Sequence, residues 1–232
     1  MNPPVFVALD LDDLDQALQL AQKVSPYVGG YKIGPRLTYK YGALGVEKLT
    51  KLGSVFVDNK YFDIPNTMVS AVRTTFDSGA SYTTIHAASG LDALKMLAEL
   101  EKELNQIREF KILCVTVLTS FDFFNLPSHQ KKFSIEDQVE MLAKDVVESG
   151  LSGIVCSPNE VQRLRQLYPH AYLVTPGIRL LSNATDDQKR VTTPNQAIRM
   201  GASALVVGRP IVEAKDPALA AQEIFESLKH SK

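Results

Sequence analysis

The sequence predicts an α/β protein, a single-domain (β/α)8 TIM barrel that spans residues 1–232. Eight short apolar, β-branched runs recur along the chain, and segments with helical periodicity separate them. Strands that alternate with helices indicate right-handed βαβ units around a parallel sheet, and 232 residues is a normal length for one barrel. The alternative is an open, doubly wound sheet. No G-x-G-x-x-G turn follows the first run, which argues against the dinucleotide-binding form of that sheet.

The eight predicted strands are apolar on both faces, as expected of strands buried in a parallel sheet. In chain order they are VFVAL (5–9), GYKIG (30–34), VFVD (55–58), YTTIH (82–86), ILCVTVL (112–118), GIVC (153–156), YLVTP (172–176) and ALVVG (204–208).

Helix signals lie between these runs. Two are apolar helix faces: Leu14, Leu18 and Ala21, preceded by Asp12 and Asp13, and Leu97, Leu100, Leu104 and Ile107. The other two are helix starts: the capping pattern of Ser134 with Asp137, and Asp216 followed by Pro217.

Composition and charge narrow the class of protein. The formal net charge is −1, so the sequence predicts neither a nucleic acid nor a membrane surface as partner. No run of about 18 apolar residues exists, and the first ten residues do not resemble a signal peptide. Cys114 and Cys156 both lie in apolar runs, which indicates buried thiols rather than a disulfide or a metal site. These features favour the cytoplasm.

Polar residues follow the predicted strands at the points where the strands end. In a barrel these points meet at the C-terminal mouth, where chemistry takes place. The residues are Asp10, Lys32, Asp58, Lys60, His86, Thr119, Ser120, Ser157, Arg179 and Arg209. Their coincidence at one end of the barrel predicts an active site there. His86 is interpreted as a histidine of the mouth or core whose hydrogen bonds are satisfied, rather than as a catalytic group.

The densest charge follows the third predicted strand. Asp58 and Lys60 should share a face because strand side chains alternate, and Asp63 lies just beyond them. Lys32 and Asp10 end neighbouring strands and should face the same mouth. Adjacent carboxylates favour the ammonium form of Lys60, which makes it a poor Schiff-base lysine and a good proton donor. Such an array fits decarboxylation that passes through a carbanion, with no cofactor.

The opposite side of the mouth suggests a phosphate site. Loops after strands seven and eight commonly hold phosphate in these barrels. Here they contain TPGIR (175–179), with Arg179, and VVGRP (206–210), with Gly208 and Arg209. Glycine allows the backbone to approach an anion, and arginine can bind phosphate with two hydrogen bonds. Gln188, in the long polar segment between these strands, could donate an amide.

Together these segments resemble the orotidine 5′-monophosphate decarboxylase family. The matching pieces are VALD (7–10), YKIG (31–34), DNKYFDIPNT (58–67), LTS (118–120), CSPNE (156–160), TPGIR (175–179), DDQKR (186–190) and VVGRPI (206–211). The resemblance implies conversion of orotidine 5′-monophosphate to UMP, the last step of de novo pyrimidine nucleotide synthesis. It also implies no cofactor, no metal, and a homodimer with shared active sites.

The resemblance implies a role for each matching residue. Lys60 would protonate C6 of the pyrimidine, Asp58 and Asp63 would complete the charged network, and Asp63 would reach the other subunit's site. The substrate-binding set would be Asp10, Lys32 and Thr67 at the ribose, Thr119 and Ser120 at the pyrimidine, Arg179, Gln188, Gly208 and Arg209 at the phosphate, and Ile64.

Two other functions remain as alternatives. A magnesium-dependent sugar-phosphate decarboxylase or aldolase of the same wider group would need an acidic ligand where Lys32 stands. A non-catalytic nucleotide-binding barrel is disfavoured by the intact Asp58, Lys60 and Asp63. The phenylalanine-rich segment FDFFNLPSHQ (121–130) suggests no specific role, and packing is its favoured interpretation.

Overall fold

The computed structural model describes residues 3–178 and 192–229, and within them eight parallel strands close into a barrel. Neighbours in the chain are neighbours in the barrel, and β8 pairs with β1. The strands are β1 (Val5–Ala8), β2 (Gly30–Ile33), β3 (Ser54–Tyr61), β4 (Tyr82–His86), β5 (Lys111–Val115), β6 (Gly153–Val155), β7 (Tyr172–Thr175) and β8 (Ala204–Val207). The predicted (β/α)8 barrel is therefore confirmed.

Helices surround the barrel. They are α1 (Leu14–Val24), α2 (Pro35–Thr50, kinked at Gly42), α3 (Pro65–Asp77), α4 (Leu91–Asn105), α5 (Ile135–Ser149), α6 (Pro158–Leu167), α7 (Pro194–Arg199), α8 (Arg209–Val212) and α9 (Pro217–Lys229). None of the helices in the described ranges is long and apolar enough to cross a membrane.

The predicted helix starts are confirmed. Asp13 Oδ1 accepts a hydrogen bond from Gln16 N at the start of α1, and Ser134 Oγ accepts one from Asp137 N at the start of α5. One helix prediction is wrong, because Ile107 lies beyond the end of α4 and 69% of it is exposed. The 3,4,3 spacing that suggested it runs two residues past the end of the helix at Asn105.

The core has two layers. Most buried side chains lie in a cluster that contains the apolar faces of the helices. A smaller cluster is centred on Phe6, Phe56 and Leu113, and the ring of Phe6 meets the rings of Phe56 and Tyr82 edge to face at 5.7 and 5.0 Å. Phe56 also lines the cavity at the barrel mouth, so the charged groups of the mouth stand above an apolar floor.

The end of β3 is irregular. The strand continues to Tyr61, past the predicted end at Asp58, and its register with β4 shifts between Val57 and Tyr61. Within this shift Lys60 has a φ of +47°, and no other non-glycine residue in the described ranges has a positive φ. By contrast β5 ends at Val115, three residues before the predicted end, so residues 116–118 begin the loop above the barrel.

Candidate active site

A cavity of about 620 Å³ opens at the C-terminal mouth of the barrel. Seven of the residues predicted from the sequence to form a site line it: Asp10, Lys32, Asp58, Lys60, Thr119, Gly208 and Arg209. Apolar side chains such as Phe56, Val155 and Val206 line it as well. The structure thus brings the charged strand ends together around one cavity, as the sequence predicted.

The charged groups form a chain of alternating sign. Lys32 Nζ lies 3.4 Å from Asp10 Oδ1 and 3.2 Å from Asp58 Oδ2, and Lys60 Nζ lies 2.9 Å from Asp58 Oδ1. Asp58 therefore has one lysine on each carboxylate oxygen. The Asp58 and Lys32 side chains are only 13% and 11% exposed, whereas that of Lys60 is 39% exposed and accessible from the cavity. The shared face predicted for Asp58 and Lys60 is confirmed.

Asp58 is held in its ionised form. Burial alone raises the pKa of this carboxyl, but the charges of Lys32 and Lys60, with the hydrogen bonds that both lysines donate, outweigh it. The pKa of Asp58 consequently lies below the usual value of an aspartate. The site thus keeps a buried negative charge directly beside the ammonium group of Lys60 at neutral pH.

Thr84 is a cavity residue that the sequence reasoning missed. Its Oγ1 lies 2.9 Å from Lys60 N and 3.0 Å from Asp58 Oδ1, and the residue is 1% exposed. Thr84 stands in the middle of β4, so it is not among the polar groups that the sequence predicts at strand ends. The sequence signal for Thr84 is its spacing from His86: residues two apart on a strand share a face, and His86 is predicted at the mouth.

The alternate side chains of β3 form a second polar chain. Asn59 Oδ1 accepts a hydrogen bond from Thr38 Oγ1 at 2.8 Å, and Asn59 Nδ2 donates to the Tyr61 hydroxyl at 3.1 Å. That hydroxyl lies 2.8 Å from Thr75 Oγ1 in α3. The chain ties the irregular end of β3 to α2 and α3, so the backbone that carries Lys60 is held from two sides.

Three predicted site residues in the segment after β3 lie outside this barrel's own cavity. Asp63, Ile64 and Thr67 are all exposed, and 67% of Ile64 is accessible to solvent. Asp63 Oδ1 accepts a hydrogen bond from Ile64 N at 2.7 Å and makes no ion pair among the described residues. Within one chain the structure does not bring these three residues to Lys60.

On the pyrimidine side, Thr119 lines the cavity, whereas Ser120 is exposed and its carbonyl accepts a hydrogen bond from Asn125 Nδ2 at 3.1 Å. On the phosphate side, Gly208 precedes α8 and Arg209 begins it, both at the cavity wall. Arg179 and Gln188 lie outside the residues that the structure describes.

Two further titratable groups near the mouth, His86 and Cys156, favour their neutral forms. His86 Nδ1 accepts a hydrogen bond from Ala88 N at 3.4 Å, and burial, followed by the charge of Lys60, lowers the pKa of His86. Cys156 lines the cavity, but burial raises the pKa of its thiol far above neutrality. Cys114 and Cys156 are both free and buried, as predicted. In the described part of the chain no three His, Cys, Asp or Glu side chains group as metal ligands.

The geometry defines a class: a (β/α)8-barrel enzyme whose lysine–carboxylate array stands at the C-terminal mouth above an apolar floor. Residues 3–224 match the model of the Orotidine 5'-phosphate decarboxylase / HUMPS family, and the chain belongs to this family. The resemblance inferred from the sequence is confirmed, and with it the predicted enzyme class, a carboxy-lyase.

Curated relatives match along nearly their whole length. A protein of Sphingopyxis alaskensis named orotidine 5'-phosphate decarboxylase is 42% identical over 229 residues, which cover 98% of this chain and 100% of the relative. One of the same name from Rhodopseudomonas palustris (strain BisB5) is 43% identical over 226 residues, covering 97% and 94%. The crystal structure of orotidine 5'-phosphate decarboxylase from Lactobacillus acidophilus superposes with a TM-score of 0.85 at 34% identity, covering 98% of this chain and 99% of that one.

Proposed function

We propose that the chain decarboxylates orotidine 5′-monophosphate to UMP without a cofactor, and that Lys60 protonates C6 after carbon dioxide leaves. One observation carries the mechanism: a buried, ionised Asp58 lies 3.2 Å from Lys32 Nζ and 2.9 Å from Lys60 Nζ at the cavity wall. The relatives' names and the family match support the substrate.

The array of Lys60, Asp58 and Lys32 would stabilise the negative charge that develops on C6 during the reaction. When the bond between C6 and the carboxylate breaks, its electron pair stays on C6 and carbon dioxide departs. The ammonium group of Lys60 stabilises that carbanion and then gives it a proton, which leaves UMP and a neutral amine that solvent reprotonates. Asp58 would repel the substrate carboxylate before the bond breaks and would keep Lys60 charged. Lys32, between Asp10 and Asp58, fixes the Asp58 carboxylate in place.

The remaining site residues would bind the substrate. Arg209 and the backbone at Gly208, together with Arg179 and Gln188, would hold the phosphate. Asp10 and Lys32 would contact the ribose, and Thr119 and Ser120 the pyrimidine edge. Because the phosphate lies far from the bond that breaks, its binding energy can hold the substrate carboxylate against Asp58.

We also propose a homodimer in which each barrel receives Asp63, Ile64 and Thr67 from the other subunit. Their exposure, and their position outside their own cavity, support this arrangement. No nucleic acid or membrane partner is proposed, in view of the net charge of −1. Two free buried thiols fit a reducing, cytoplasmic location.

The magnesium-dependent lyase is the weaker alternative. The end of β2, where that reaction needs an acidic ligand, carries Lys32, whose Nζ lies between two carboxylates. A divalent cation there would meet a fixed positive charge.

The test follows UMP formation from orotidine 5′-monophosphate by the wild type, Lys60→Ala and Lys51→Ala, with and without EDTA. Lys51 is an exposed lysine that caps the C-terminus of α2, away from the mouth, and serves as the matched control. We expect wild type and Lys51→Ala to be equally active and insensitive to EDTA, and Lys60→Ala to lose at least about 10²- to 10⁴-fold in kcat. An inactive wild type, or a fully active Lys60→Ala, would refute the proposal.

A further inference from the structure

We infer that Thr84 is a positioning residue for the decarboxylation: its hydroxyl sets the geometry of the Asp58–Lys60 pair. The inference rests on the proposed function and deepens it. Neither the sequence motif nor the charged network requires a threonine in the middle of β4. The side chain nevertheless lines the cavity and contacts both members of the pair.

The two hydrogen bonds fix the direction of the hydroxyl. Lys60 N–H donates to Thr84 Oγ1 at 2.9 Å, so the hydroxyl proton is free to point at Asp58 Oδ1, 3.0 Å away. Lys60 Nζ lies 2.9 Å from the same Oδ1 atom. The hydroxyl of Thr84 therefore bridges the backbone of the proposed proton donor and the carboxylate oxygen that its ammonium group contacts.

The backbone at Lys60 needs such a partner. Its φ of +47° lies in the left-handed region, which a non-glycine residue occupies at a cost of about 1–2 kcal/mol. The β3–β4 register shifts across this residue, and the Thr84 hydroxyl accepts the Lys60 N–H there in place of a strand carbonyl. A hydroxyl from the neighbouring strand thus holds a strained backbone whose side chain must reach C6 of the substrate.

Thr84 also acts on charge without adding any. The charged and titratable groups around Asp58 are Lys32 from β2, Lys60 from β3, Asp10 beyond Lys32 and His86 at the end of β4. A hydrogen bond donated to a carboxylate favours its ionised form, so the Thr84 hydroxyl acts in the same direction as the two lysines. A residue that served only to fill space would not affect this equilibrium.

The test compares Thr84→Val, which replaces the hydroxyl by a methyl group, with Thr83→Val as control. Thr83 precedes Thr84 in β4, is fully buried, and its Oγ1 has no hydrogen-bond partner in the described part of the structure. We expect Thr84→Val to lower kcat about 10- to 100-fold, the loss expected for a hydrogen bond to a charged group. KM should change less than about threefold, because Thr84 contacts none of the proposed phosphate or ribose groups. Thr83→Val should match wild type in both constants.

Two further readouts separate positioning from mere packing. The acid limb of the kcat/KM profile should move to higher pH in Thr84→Val, because Asp58 loses a donor that favours its ionised form. Thr84→Ser should retain most of kcat, and Thr84→Ala should not, even though both lack the methyl group. If Thr84→Val does not fold, Thr84→Ser and Thr84→Ala still test whether the hydroxyl is needed.

The outcomes distinguish this inference from the proposed function. An active wild type with unchanged kcat in Thr84→Val would overturn the role of Thr84 alone. Equal losses of kcat in Thr84→Ser and Thr84→Ala would do the same, because the hydroxyl would then be irrelevant. A wild type that forms no UMP would overturn both.

Discussion

At the scale of single residues, Asp58 is the group on which the site depends. Its carboxylate is 13% exposed, and a buried carboxylate without partners is strongly destabilising. Two lysines and the Thr84 hydroxyl compensate for the lost solvation. The contacts that stabilise this buried charge also hold it beside Lys60. The stability of the fold and the proposed chemistry therefore depend on one cluster of side chains.

This dependence gives a prediction for Asp58→Asn. The folded pKa of Asp58 lies below its unfolded value, so the ionised carboxylate stabilises the fold above the unfolded pKa, and this contribution disappears as the pH falls through the folded pKa. At pH 7, Asp58→Asn should lower the free energy of unfolding by about 2–4 kcal/mol, because it leaves Lys32 and Lys60 without their shared partner. The difference from wild type should shrink toward acidic pH.

Urea unfolding of both proteins at one protein concentration, in steps from pH 7 to pH 3, measures this difference. A gap that stays constant across the range would show that Asp58 does not stabilise the fold through its charge. Asp122→Asn is a suitable control, because Asp122 is exposed and its carboxylate caps a loop without an ion pair among the described residues.

What the sequence predicted at this scale follows from where strands end. Asp10, Lys32, Asp58 and Lys60 are predicted at one mouth because they lie at or within two residues of the ends of apolar runs. Thr84 could not be placed in the same way. Its role depends on a register shift between β3 and β4 and on the positive φ of Lys60, and no pattern of residue types encodes either feature.

At the scale of elements, two strands carry glycine where the neighbouring strand lies too close for a side chain. A Cβ at Gly30 in β2 would lie 2.5 Å from Ser54 O, and one at Gly153 in β6 would lie 2.2 Å from Ile112 O. The obstacle is backbone in both cases and cannot move aside as a side chain would. These glycines set how closely adjacent strands and their side chains approach at the start of β2 and β6.

Gly153→Ala should therefore lower the free energy of unfolding by about 1–3 kcal/mol or more, the range for overpacking of a core. Gly34→Ala is the control: the position has an extended backbone (φ −121°), and the nearest atom to its new Cβ would be Asp58 O at 3.6 Å. Chemical denaturation of both variants tests this comparison. Equal losses of stability would mean that the close approach at Gly153 is relieved by backbone movement.

The element boundaries show what periodicity can and cannot predict. All eight predicted strands begin at the residue where the observed strand begins or one residue after it, because apolar β-branched runs start abruptly. β3 ends later than its apolar run because Asn59 and Tyr61 are held by hydrogen bonds outside the barrel. β5 ends earlier than its apolar run because Val117 and Leu118 line the cavity at the mouth instead of extending the strand.

At the scale of the whole molecule, the closed barrel gathers four charged groups from three neighbouring strand ends but leaves the site open on one side. Phe62, Asp63 and Ile64 follow β3 directly and are exposed, with 65% of Phe62 and 67% of Ile64 accessible. Large apolar residues beside a carboxylate, exposed next to an active-site mouth, are what a subunit interface would cover. This exposure cannot be derived from the sequence of one chain.

The proposed dimer makes a prediction that depends on which barrel uses which residue. A hybrid of a Lys60→Ala subunit and an Asp63→Ala subunit contains one barrel with its own Lys60 and the other subunit's Asp63, and a second barrel that lacks both. Random mixing of the two inactive variants should therefore restore about one quarter of wild-type activity, because half of the dimers are hybrids with one intact site each.

Mixing Lys60→Ala with Asp58→Ala supplies the matched control. Both residues belong to the same barrel, so every site keeps one lesion and no activity should return. Hybrids isolated through two different affinity tags and measured for UMP formation give the result directly. If such hybrids are no more active than their parents, Asp63 acts within its own subunit, and the loop that carries it would have to fold back over the cavity.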